Sequence, residues 1–91
     1  MMQKVDMITD LEALKDSNDS MILNLTYESR IKIDSDSGLV YEWDLGKWNS
    51  IIAFDTIDTS SEDHITLIRY VSWGHASLTI YYNQILSYEY E

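Results

Sequence analysis

The segment MILNLTYESRIKI, residues 21–33, alternates mostly apolar residues at its odd positions with mostly polar residues at its even positions. A period of two residues is typical of a β-strand with one buried face and one face in water. The thirteen residues of the segment exceed the usual strand length of about five or six residues. The pattern therefore predicts strand structure with a bend near residues 28–30.

Short alternating strands continue after this segment. Residues 34–38 read DSDSG, a turn composition that predicts a hairpin between the strands on either side. Residues 48–57 include the apolar run IIAF, which fits either a strand covered on both faces or a helical turn. Over residues 39–45 the alternation predicts an inner face of Leu39, Tyr41, Trp43 and Leu45 and an outer face of Val40, Glu42 and Asp44. Further strands are predicted over residues 65–73, 76–82 and 85–90.

A short helix is predicted before the strands, over residues 9–18. Thr9 and Glu12 have the spacing of a capping box, in which the threonine hydroxyl accepts from a free backbone N–H and the glutamate reaches back. Leu11 and Leu14, together with Met7 if the helix starts earlier, form an apolar stripe that must dock on the strands, because so short a helix is marginal alone. The chain is thus predicted to be α+β and mostly β. We expect one domain over residues 1–91, with five or six antiparallel strands in residues 20–91 that form a small barrel or a strongly curved sheet.

The composition narrows the classes of function. The chain has 91 residues, of which sixteen are acidic and six basic, and its formal net charge is −10. It has no cysteine, which excludes a disulfide scaffold and a cysteine zinc site. The charge argues against direct nucleic-acid binding, and a hydrophobic content of 45% argues against a disordered acidic tail. No apolar run suits a membrane span or a signal peptide, so we expect a cytoplasmic protein with no membrane partner.

No motif in the sequence predicts catalysis, a metal site or a cofactor. The DSDSG turn lacks EF-hand spacing, since its glycine falls at the fifth position and Leu45 at the twelfth. His64 and His75 have no cysteine to complete a zinc site, although both could approach each other at one end of a sheet. The pair Glu42 and Asp44 is expected to project into water rather than into a cleft. We therefore predict that the protein is not an enzyme.

The remaining signal is negative charge on a β scaffold. Carboxylates two residues apart on one strand face are about 6.8 Å apart, a spacing of the same order as that of backbone phosphates. Such an array attracts basic surfaces, and aromatic residues among the acids are good anchors in a partner pocket. An acidic surface also simply favours solubility. The candidate partner-binding residues are Asp34, Asp36, Glu42, Asp44, Asp55, Asp58, Glu62, Asp63, Trp43 and Trp48.

In size and charge the whole chain resembles the small acidic inhibitors that phages and mobile elements make against host defence, including anti-CRISPR and anti-restriction proteins of the DNA-mimic type. The resemblance rests on no shared motif. It implies a non-catalytic inhibitor that occupies the basic nucleic-acid-binding surface of a host protein such as a CRISPR effector. Two alternatives stay open: an immunity or antitoxin protein that neutralises a basic toxin, and a structural subunit. The tyrosine-rich segment Tyr81–Tyr90 favours the second, as a homodimer through the C-terminal strands.

Overall fold

The computed structural model describes residues 4–91, and residues 1–3 of the predicted domain lie outside the described part. One helix and eight strands follow each other along the described chain. The helix is α1 (Lys4–Leu14), and the strands are β1 (Ser20–Leu25), β2 (Arg30–Asp34), β3 (Leu39–Asp44), β4 (Lys47–Ala53), β5 (Thr56–Asp58), β6 (His64–Val71), β7 (Gly74–Tyr81) and β8 (Ile85–Tyr90).

The strands form two antiparallel sheets. The larger sheet has the order β4-β3-β2-β1-β8, and the smaller sheet has the order β5-β6-β7. The mostly β, antiparallel class is therefore confirmed. The predicted count of five or six strands is too low, and over residues 4–91 the strands do not close into a barrel. The count differs because residues 21–33 and residues 48–57 each contribute to two strands.

The alternating segment of residues 21–33 turns back on itself, so the predicted single strand with a bend near residues 28–30 is in fact two antiparallel strands. A short 3-10 turn over Thr26–Glu28 separates the two strands. Tyr27 and Glu28 both have a φ of 61°, which is the left-handed region that few non-glycine residues adopt. The backbone N–H of Leu25 donates to the carbonyl of Ser29 over 2.7 Å and closes the turn. This reversal lets both halves of the long alternating segment pair with each other in one sheet.

The helix lies earlier in the chain than the capping pattern predicts. Thr9 is inside α1, and its hydroxyl donates to the carbonyl of Val5 over 3.0 Å, so Thr9 does not cap the first turn. Met7, Leu11 and Leu14 are all fully buried, and this stripe at three- and four-residue spacing fixes the helix about one turn upstream. The predicted end near residue 18 is also wrong, because α1 ends at Leu14 and a turn follows.

We expect the substitution Thr9→Ala to leave the free energy of unfolding unchanged or slightly raised. Alanine has the higher helix propensity at an exposed interior position, whereas loss of a true N-cap costs about 0.5–2 kcal/mol. Urea denaturation of both proteins measures the difference. A loss of more than about 1 kcal/mol would show that Thr9 acts as a cap after all.

The core lies between one face of the larger sheet, the helix and one face of the smaller sheet. Met21 of β1 pairs with Ile33 of β2, and Ile33 pairs with Val40 of β3, so these three residues share a face. All three are fully buried. On the other side of the core lie buried residues of the smaller sheet, namely Ile57, Ile65, Leu67 and Ile80.

The predicted inner and outer faces of β3 are therefore reversed. Val40 is fully buried, whereas Trp43 is 40% exposed and Leu45, in the turn after the strand, is 89% exposed. Pairing with Ile33 places Val40 on the core side and puts Leu39, Tyr41 and Trp43 on the opposite face of the sheet. The apolar character of Tyr41 and Trp43 predicted an inner position for both. In the structure they lie on the outer face, where the cations of β2 cover them, as described below.

The segment that the sequence left open, residues 48–57, is strand rather than helix. Most of it belongs to β4, which pairs with β3 through a register shift near Tyr41, and the rest begins β5. Phe54 and Asp55 connect the two strands and carry the chain from the larger sheet to the smaller one. Within residues 4–91, no helix is long and apolar enough to cross a membrane.

Candidate partner-binding surface

Four of the predicted acidic residues flank β5, and we call them the loop acids: Asp55, Asp58, Glu62 and Asp63. Asp58 ends β5, and its carboxylate accepts hydrogen bonds from the hydroxyl and the backbone N–H of Ser60, at 2.6 and 2.9 Å. These bonds lower the pKa of Asp58. Asp63 accepts from the Ser61 hydroxyl over 2.8 Å and contacts His64, and both interactions lower its pKa. The two carboxylates are thus held ionised in fixed orientations.

Asp55 and Glu62 complete the loop acids in different ways. One carboxylate oxygen of Asp55 accepts from the backbone N–H of Tyr70 over 2.7 Å, so Asp55 anchors β6 to the start of β5. Glu62 is exposed, and its carbonyl, not its carboxylate, accepts from the Lys4 ammonium group over 2.5 Å. Of the loop acids, Glu62 therefore has the carboxylate with most freedom to meet a partner.

The helix adds a carboxylate that the sequence did not predict to be part of the surface. Glu12 accepts from the hydroxyl of Thr59 over 3.2 Å, which joins α1 to the loop after β5. A cavity of about 490 Å³ lies at this junction, lined among others by Glu12, Lys15, Asp58 and Tyr70. Glu12 was interpreted as half of the capping box. Because Glu12 follows Thr9 by three residues, the capping pattern accounted for it, and its contact with Thr59 was not predicted.

Tyr82 is buried close to the carboxylates of Glu12 and Asp58. Its hydroxyl has no hydrogen-bond partner among the described residues. Burial raises the pKa of Tyr82, and the negative charges of Glu12 and Asp58 raise it further. The Lys4 ammonium group lies 4.6 Å from the centre of the Tyr82 ring. Asp58, the backbone of Glu62 and the helix residues Lys4 and Glu12 thus meet around Tyr82.

The other four predicted acids, which we call the hairpin acids, are Asp34, Asp36, Glu42 and Asp44. The structure places them at the two ends of the β2–β3 hairpin. Asp34 accepts from the backbone N–H of Asp36 and from the Ser37 hydroxyl, so its carboxylate stabilises the turn. Glu42 and Asp44 are exposed toward the far end of β3, and the six residues from Leu39 to Asp44 span about 17 Å. The hairpin acids therefore form two small groups.

Trp43 and Trp48 lie on the opposite face of the sheet from Glu42. They pair across β3 and β4, with ring centres 5.2 Å apart in an edge-to-face arrangement. The Arg30 guanidinium lies 5.6 Å from the Trp43 ring and 5.3 Å from the Trp48 ring. Lys32 lies over Trp48 in the same way, at 4.9 Å. Both tryptophans are thus neighbours of cations, and Trp43 lies on the opposite face from Glu42 and Asp44, which flank it in sequence.

The two cations on this outer face also contact β8. Arg30 lies 3.7 Å from the Glu89 carboxylate, and Lys32 lies 3.5 Å from that of Glu91. None of the eight predicted acids forms an ion pair with a lysine or an arginine among the described residues. Lysine and arginine side chains of the described residues therefore form no ion pair with the loop acids or the hairpin acids, although His64 contacts Asp63 and the charge of Lys15 helps to lower the pKa of Asp58.

Ser61, Asp63 and His64 cluster without the geometry of a catalytic triad. Both Ser61 and Asp63 contact Nδ1 of His64, at 3.0 and 2.6 Å. A triad needs the serine on one ring nitrogen and the carboxylate on the other. The two histidines lie at opposite ends of the β6–β7 hairpin, since His64 pairs with Tyr81 and His75 with Tyr70. Between residues 4 and 91, no three histidine, aspartate or glutamate side chains are grouped so that they could hold a metal ion.

The tyrosines of β8 bind the helix. The Tyr88 hydroxyl donates to the Asp10 carboxylate over 2.6 Å, and the Tyr90 hydroxyl donates to the Asp10 carbonyl over 3.1 Å. The hydrogen bond to Asp10, assisted by burial, raises the pKa of Tyr88 to about 12. Part of the predicted tyrosine-rich patch is therefore used within the chain.

This pairing predicts a loss of stability at high pH. The folded pKa of Tyr88 lies above the unfolded value of about 10. Its contribution to stability is therefore fully present below pH ~10 and is lost as the pH rises through about 12. In the variant Asp10→Asn, we expect the pKa of Tyr88 to fall toward 10. An NMR titration of tyrosine labelled at the ring carbon measures it, and an unchanged pKa in the folded variant would exclude Asp10 as the cause.

Comparisons with protein-family models, with curated proteins and with solved structures find no match to this chain.

Proposed function

We propose that this protein is a non-catalytic acidic binding protein that occupies a basic, nucleic-acid-binding surface of another protein. The observation that carries the proposal is the set of eight exposed or half-buried carboxylates, in the loop acids and hairpin acids, that no lysine or arginine of the described chain pairs with. A surface that its own chain leaves unneutralised raises the local concentration of cationic partners. Within this proposal the target is a host defence protein such as a CRISPR effector, and the protein acts in the cytoplasm.

Fixed carboxylates support this function better than a flexible acidic tail would. Asp58 and Asp63 are held by serine hydroxyls and stay ionised well into acidic solution, because their pKa values are lowered. Glu42 and Asp44 lie two residues apart on one strand face, at about 6.8 Å. A partner that binds phosphates at such spacing meets charges that need no reordering on binding.

The neutralisation of a basic toxin uses the same surface and stays the alternative for the partner's class. Both functions predict that affinity falls as salt is added, since screening weakens attraction between opposite charges. They differ in whether the captured partner binds nucleic acid. The experiment below distinguishes them by that property.

The proposal is tested by capture on the immobilised protein from a bacterial lysate, with washes at low and then at high salt. We expect one basic protein to elute with salt, and its binding to labelled DNA or RNA to be lost when our protein is added. A matched pair of double variants localises the contact: Asp58→Asn with Glu62→Gln, and Asp19→Asn with Glu28→Gln. Only the first pair should lose the partner. Capture that is insensitive to salt and to both pairs would overturn the proposal.

A further inference from the structure

The two sheets leave four strand edges without a neighbour among the described residues, and three of these edges are protected. β5 has only three residues. β4 carries Lys47 and an irregular register, and β8 carries Glu89, is followed by Glu91, and has a register shift. Short length, charge and irregularity are the features by which proteins prevent unwanted strand pairing. The fourth edge, β7, has none of them.

β7 is long, regular and almost uncharged. It reads GHASLTIY over eight residues, has no proline, and His75 is its only ionisable side chain besides Tyr81. Its register with β6 is unbroken from Gly74 to Tyr81. Most of the strand is exposed, including Gly74 through Ser77. Such an edge offers a row of free backbone N–H and C=O groups to another strand.

Charge indicates which strand would pair with it. Residues 64–88 contain Arg69 and no acidic residue, so all sixteen acids lie elsewhere in the chain. Two copies of this chain repel each other over most of their surfaces, but not over the β6–β7 hairpin. The basic partner proposed above has no attraction to this segment. β7 of a second copy matches the edge in length and meets it without acidic repulsion, and we take it as the occupant.

We propose that two copies associate through β7 in an antiparallel, two-fold pairing that joins the smaller sheets into one sheet of order β5-β6-β7-β7-β6-β5. Residues opposite each other share a face, so one residue must lie opposite its own copy, with the two-fold axis midway between the two. The middle of the strand offers Ser77 or Leu78 for this position. The turn between β6 and β7 of one copy then lies beside the end of β7 near Tyr81 of the other copy. With the axis at Ser77, Trp73, which is 87% exposed at the tip, lies opposite Tyr81 of the second copy, and with the axis at Leu78, His75 lies opposite Tyr81.

Sedimentation and light scattering across a dilution series test the pairing. We expect a dimer that the substitution Ser77→Lys weakens at least about tenfold, because like charges then meet near the axis. Ser50→Lys is the matched control, since Ser50 is an exposed serine on the β4 edge, and it should leave the dimer unchanged. A monomer at all concentrations, or a dimer that both lysine variants weaken equally, would overturn the proposal.

Introduced cysteines report the strand contact directly, because the chain has none of its own. Ser77→Cys or Leu78→Cys should form a disulfide between copies on mild oxidation, since paired residues in antiparallel strands lie within disulfide reach, about 4.5–5.5 Å between Cα atoms. Ser50→Cys should not. A dimer in which neither β7 position cross-links would place the interface elsewhere. Added salt should strengthen this dimer and weaken capture of the basic partner, so the two proposals fail separately.

Discussion

The substitution Leu11→Ala is expected to lower the free energy of unfolding by about 2–5 kcal/mol. Leu11 is fully buried between the helix and the sheets, and its removal leaves a cavity that the packed core does not fill. A loss at the upper end of this range equals the whole stability of a domain at the lower end of the ordinary range, about 5–15 kcal/mol. Urea denaturation followed by circular dichroism measures the change.

The matched control is Val5→Ala in the same helix. Val5 is 74% exposed, and alanine has the higher helix propensity. We expect its effect to stay within about 0.5 kcal/mol, as for most surface substitutions. Equal losses in both variants would mean that helix formation, and not burial against the sheets, sets the stability of α1.

Reversal of Glu42, Asp44, Asp58 and Glu62 to lysine is expected to abolish capture of the basic partner while the fold persists. Each reversal adds two charges, so the formal net charge changes from −10 to −2. Electrostatic steering contributes about 10- to 1000-fold to association rates. Surface plasmon resonance against the captured partner should therefore show a fall of that order in the association rate.

A second quadruple variant separates local surface from total charge. Reversal of four other acids, Asp6, Asp16, Asp19 and Glu28, gives the same net charge and leaves the loop acids and hairpin acids intact. We expect it to keep most of the association rate at physiological salt, where charges farther apart than about 8 Å are screened. An equal fall in both variants would mean that net charge alone attracts the partner.

Local patterns predicted those parts of the fold that depend on neighbouring residues. The DSDSG turn predicted the β2–β3 hairpin, whereas the alternation in residues 21–33 predicted strand structure but not the chain reversal between β1 and β2. The last strand, β8, has the predicted bounds of residues 85–90. The helix was found but misplaced, because a capping pattern was given more weight than the buried stripe of Met7, Leu11 and Leu14.

The parts that depend on distant contacts were not predictable in this way. The inner face of β3 is set by its pairing with β2, and the aromatic residues on the other face lie under Arg30 and Lys32. The meeting of Glu12 with Thr59 joins residues 47 positions apart. Strand alternation separates Glu42 from Trp43 even though they are adjacent in sequence. A linear list of acidic and aromatic residues therefore does not show which of them share a surface.

The pairing of β1 with β8 sets the order in which the protein is completed during synthesis. Met21 lies opposite Tyr90, so the larger sheet has an open edge at β1 until β8 has left the ribosome. Until then Asp10 also lacks its bonds from Tyr88 and Tyr90. Contacts of such long sequence separation form slowly. A nascent chain arrested after β7 therefore exposes strand edges at both β1 and β7, where chaperones and proteases can reach the backbone.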